Sequence, residues 1–169
     1  MSKLEVKLRE VEHKRARQKL LNSVDPALSN LLSKAEFSHD RQSLKYAAFS
    51  AWDIKANEQT TTRGKVKDWE LKYFNTPTEI VSFIKTNVKP ANAIGWFFVD
   101  SEGPYYSLSL SEFLLNLSFL QDYCEKQNHF DIGWVGKSAD MGIVFEFNHN
   151  PFGHNEFEVC MWGGINGNQ

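Results

Sequence analysis

The apolar positions of this chain alternate between a helical and a strand-like period, and each change of period marks a predicted element. From Leu4 to Leu21 they are sparse. Leu4, Leu8 and Val11 share one face, while Leu20 and Leu21 drift off it, so residues 1–22 are expected to form a basic N-terminal helix whose first turns lie on the surface. Glu5 with Arg9 and Glu10 with Lys14 stand at supporting i,i+4 spacing. Asp25 before Pro26 predicts a second helix, with the carboxylate capping free amides and proline at the first helical position. Residues 44–54 carry small or apolar side chains at both alternating positions, as a strand covered on both sides would.

From Val66 to Phe74 the period is two. Trp69, Leu71 and Tyr73 alternate with Glu70 and Lys72, which predicts a half-exposed strand with Glu70 and Lys72 on its solvated face. Thr76-Pro77-Thr78-Glu79 is a capping box that opens a helix to about Asn87. Ala93 to Asp100 and Tyr105 to Leu108 read as a hairpin around Ser101-Glu102-Gly103-Pro104. Ser109 and Glu112 form a second capping box, followed by Phe113, Leu114, Leu117, Leu120 and Cys124 at helical spacing. One central core helix to about Lys126 is predicted, covered around most of its circumference because Leu115, Phe119 and Tyr123 are also apolar. Three strands follow, at Phe130 to Val135, Met141 to Asn148 and Asn155 to Trp162. The predicted order is ααββαββαβββ in a single α+β domain over residues 1–169, with N-terminal helices and a mixed, largely antiparallel sheet packed on the central helix.

Composition narrows this picture in two ways. No apolar run is long enough to span a membrane, and the charged N-terminus lacks the apolar stretch of a secretory signal, so a cytoplasmic protein without membrane contact is expected. Cys124 and Cys160 have apolar neighbours that suit reduced core thiols. The net charge of -2 also conceals a gradient. Residues 1–22 hold seven Lys/Arg against three Glu, a balance of +4, whereas residues 97–169 hold two Lys against ten acidic residues, a balance of -8. Fourteen of the 23 aromatic residues lie in that acidic part.

Known catalytic patterns fit poorly. Gly133-Trp-Val-Gly136-Lys137-Ser138 ends like a phosphate-binding loop, but the earlier glycine that such a loop needs is Asp131, so a hairpin turn is expected. His149 and His154 flank one loop without a fixed third ligand, and no metal is expected there. The N-terminal helix lacks aromatic interleaving, which argues against direct nucleic-acid binding. Asp53 followed by Glu70-Leu71-Lys72 resembles the PD-(D/E)xK nuclease core over roughly residues 30–100. That resemblance implies a Mg²⁺-dependent nuclease in which Asp53 and Glu70 hold the metal and Lys72 polarises water. A cross-strand charge pair on a solvated strand accounts for the same residues.

The acidic, aromatic C-terminal part carries the leading expectation. Asp131, Asp140, Glu146, Glu156 and Glu158, with Trp162 as an anchor, would form a surface that steers and holds a basic protein partner. A non-enzymatic binding protein without cofactor is therefore expected, of the kind that an immunity protein or antitoxin exemplifies against a nuclease toxin. The nuclease reading is the alternative, and a phage-encoded inhibitor mimicking nucleic-acid charge is a second.

Overall fold

Four of the described helices start where a side chain satisfies the free amides of the first turn. The computed structural model describes residues 2–38, 70–100, 103–126, 131–138, 141–149, 155–163 and 165. Ser2 and Glu5 form a reciprocal capping box that opens α1 (Lys3–Ser23), with Glu5 accepting from the Ser2 amide at 2.6 Å. Asp25 accepts from the amides of Ala27 and Leu28 at 2.9 and 3.1 Å and opens α2 (Pro26–Lys34). Thr76 opens α3 (Pro77–Asn87), although the Glu79 carboxylate reaches back to the amide of Asn75 rather than to that of the cap. Ser109 and Glu112 complete the box that opens α4 (Leu110–Leu115).

The predicted core helix is divided. Asn116 donates its side-chain amide to the carbonyl of Glu112 at 2.8 Å, taking the acceptor that its own backbone amide would use in a continued α-helix. The backbone amides of Asn116 and Leu117 bond three residues back, to Phe113 and Leu114. The tightened turn separates α4 from α5 (Phe119–Lys126). It also leaves Leu115 82% exposed, contrary to the expected all-round coverage.

The described strands are β1 (Phe37–Ser38), β2 (Glu70–Phe74), β3 (Ile94–Phe98), β4 (Tyr105–Ser109), β5 (Asp131–Gly136), β6 (Gly142–His149) and β7 (Asn155–Trp162). They form one sheet in the order β1-β4-β3-β5-β6-β7-β2. Every described pairing is antiparallel, in keeping with the largely antiparallel sheet expected. The fold is α+β. The short β1 carries no sequence signal, and the strand expected at residues 44–54 lies outside the described residues, as do residues 66–69.

The helices share one core with one face of the sheet. Leu20, Leu28, Leu32, Ile84, Phe113, Leu117 and Leu120 pack with Phe97, Tyr106, Ile132, Trp134, Phe145, Val159 and Met161. The opposite face is buried as well, through Phe98, Tyr105, Val135, Val144, Cys160 and Trp162, none of which joins the helix-side cluster. A sheet buried on both faces explains why β5 to β7 read as dense apolar runs.

Three strand glycines make room for rings on this sheet. A Cβ at Gly142 would collide with the Trp162 ring directly opposite it, one at Gly95 with Trp134, and one at Gly133 with Phe98. Gly142→Ala must displace a fully buried indole or bend its strand. A loss of about 2 kcal/mol of unfolding free energy is expected, read as a lowered urea midpoint at unchanged slope.

Candidate functional site

Register converts the acidic residues of the sequence into positions on one surface. On the sheet face opposite the helices, the first row across the strands is Val135, Gly142 and Trp162. The next is Phe98, Gly133, Val144, Cys160 and Leu71. The third is Asp131, Glu146, Glu158 and Tyr73, directly opposite one another on β5, β6, β7 and β2. Asn148 and Glu156 pair in the fourth. Along the strands, therefore, this face passes from apolar to acidic. Asp131, Glu146, Glu156 and Glu158 hold positions on it, while Asp140 lies outside the described residues.

These positions differ in exposure. Glu146 is half-buried and Tyr73 is 58% exposed. Glu158 is only 3% exposed and Trp162 only 1%, so neither presents a surface as expected. The reason for Trp162 is its seat over Gly142. Glu158 lies between Glu146 and Tyr73 in the middle of the row. Tyr73 was not singled out from the sequence. Its only signal was its place in an alternating strand, read there as inward-facing.

That alternation is inverted. Lys72 pairs with Val159 of the core row, on the helix side, and its ammonium lies 4.6 Å from the centroid of Phe83 of α3. Phe83 in turn packs against Phe74 with the rings tilted by 45° and their centroids 5.2 Å apart. Lys72 is thus engaged with an aromatic ring rather than standing on a solvated face. Glu70 occupies the next position of the same strand face, opposite Met161, and Asp53 lies outside the described residues.

The Gly133 to Ser138 segment is a strand end and turn, closed by the Gly136 amide donating to the Met141 carbonyl at 2.9 Å. Lys137 bonds Glu36 at 3.3 Å and covers the Trp96 ring at 4.8 Å. His149 ends β6, and His154 lies outside the described residues. Among the described residues no group of three His, Cys, Asp or Glu could hold a metal ion. No described helix is long and apolar enough to cross a membrane.

One further concavity lies between α1 and β1, a cleft of about 500 Å³ lined by Glu10, His13, Lys14, Arg17, Gln18, Leu21 and Phe37. Arg17 stacks on Phe37 at 4.1 Å and donates to the Ser33 carbonyl at 3.0 Å. Behind it the Tyr106 hydroxyl is buried beside the Arg17 side chain. Burial raises the Tyr106 pKa above the usual phenol value, and the positive charge of Arg17 offsets part of that rise.

Comparison with protein-family models, curated proteins and solved structures yields no match to this chain.

Because Tyr106 holds its proton more tightly when folded, its contribution to stability is intact below the unfolded pKa of about 10 and is lost as pH rises toward the higher folded value. Tyr106→Phe removes this alkaline loss together with the hydroxyl that faces Arg17. Urea unfolding is expected to show a smaller decline in stability above about pH 10 than in the parent.

Proposed function

We propose that this chain is a non-enzymatic binding protein that neutralises a basic protein partner, as an immunity protein or antitoxin does with a cationic nuclease toxin. The observation that carries the reading is the acidic row of Asp131, Glu146 and Glu158, which ends on the exposed Tyr73 of β2. Carboxylates on adjacent strands concentrate negative potential along one line, and such a field raises the encounter rate with a cationic surface. An exposed tyrosine beside it supplies the amphipathic anchor that interfaces favour. The -8 balance of residues 97–169 extends the same field beyond the row.

The partner-facing residues on this reading are Glu146 and Tyr73, with Asp131 and Glu156 at neighbouring register positions. Glu158 supports the row from within, and Trp162 belongs to the packing of the sheet. Lys72, held over Phe83, serves the fold.

Affinity purification of the tagged chain from its native cells tests the proposal. A partner rich in Lys and Arg should be retained at low salt and released as salt screens the contact. Glu146→Lys should weaken that complex about tenfold, roughly 1.4 kcal/mol, with the difference shrinking at high salt. Retention of no basic protein, a complex indifferent to Glu146→Lys, or Mg²⁺-dependent nucleic-acid cleavage by the pure chain would each overturn it.

A further inference from the structure

The first three turns of α1 extend beyond the body of the protein. Residues 2–12 are all exposed, whereas Leu20 is buried in the core and Arg17 is tied to Ser33 of α2. At 3.6 residues per turn, Leu4, Leu8 and Val11 fall on the side of α1 opposite to Arg17 and Leu20. These three side chains are 67%, 54% and 46% exposed.

The stripe has ordered shoulders. Next to the seam, Glu5 and Glu12 run along one flank and Lys7 and Lys14 along the other. Spacings of four and three between Leu4, Leu8 and Val11 are those of a coiled-coil seam, and the flanking charges occupy the positions that choose partner and orientation. Two such helices side by side and antiparallel would set Glu against Glu and Lys against Lys. Side by side and parallel, they set Lys7 of each copy against Glu12 of the other.

We propose that α1 pairs in parallel with α1 of a second copy of this chain, through Leu4, Leu8 and Val11. Net repulsion does not oppose the contact, because residues 2–12 carry three basic and three acidic side chains, a balance of zero. The excess positive charge of α1 comes later, at Lys14, Arg15, Arg17 and Lys19. There the seam also ends, since Arg15 and Gln18 take the stripe positions and Lys19 the acidic flank. Arg17 and Leu20, which join α1 to the rest of the described fold, stand on the side of α1 away from the pair. Only the first three turns engage, so the contact falls at the small, weak end of interface sizes and forms at high protein concentration.

Sedimentation equilibrium of the whole chain over a wide concentration range is the test. A reversible monomer to dimer equilibrium is expected, and Leu8→Glu should weaken it at least about tenfold. Lys7→Glu alone should weaken it, and Lys7→Glu combined with Glu12→Lys should restore it. Under mild oxidation Leu8→Cys should give disulfide-linked dimers beyond the level of the parent, while Val6→Cys on the opposite side of the helix should not. A monomer at every concentration would overturn the proposal. So would a dimer that survives Leu8→Glu, a double charge exchange that fails to restore pairing, or equal cross-linking through positions 6 and 8.

Discussion

The close seating of aromatic rings on bare backbone is the constraint from which the rest of this molecule follows. Trp134 occupies the space that a side chain at Gly95 would need, Phe98 that of Gly133, and Trp162 that of Gly142. These fits lie on both faces, so the sheet can bury large rings on each side without separating its strands. Trp134 is fixed further by its indole nitrogen, which donates to the Leu108 carbonyl at 3.0 Å inside the core. The fits also fix register. A slip of one residue between β6 and β7 would take Trp162 off Gly142 and move Glu158 onto the helix face, dissolving the acidic row.

Local chemistry was the part of the fold most legible in the sequence. Asp25, Thr76 and Ser109 announced three helix starts, because a cap and its amides lie within one turn of each other. What misled was competition between interactions of similar strength. The apolar spacing through residues 113–124 is genuine, yet one side-chain amide at Asn116 diverts a carbonyl and breaks the helix. In β2 the alternation is genuine too, but burial follows from neighbours rather than from polarity. Lys72 finds a ring to cover, and Tyr73 stands on the far face of an outer strand.

For the candidate interface, the charge gradient was visible and its geometry was not. A balance of -8 says nothing about which carboxylates share a face, because that depends on pairing between strands joined by turns of undetermined length. Register aligned Asp131, Glu146 and Glu158. The same alignment put Glu158 in the interior of the row, a consequence that no single strand could reveal. Composition also ranked Trp162 as an anchor, although its size is what commits it to the cavity over Gly142.

The strand order has a temporal side. β5, β6 and β7 are consecutive in the chain and neighbours in the sheet, so they can assemble through short loop closures. Both outer strands come from earlier in the chain, with Phe37 opposite Tyr106 at one margin and Phe74 opposite Phe157 at the other. Their closure entropy is repaid only once the three-stranded meander exists to receive them. The acidic row is therefore laid down by the part of the sheet that can organise first, and Tyr73 joins it only when the last margin closes.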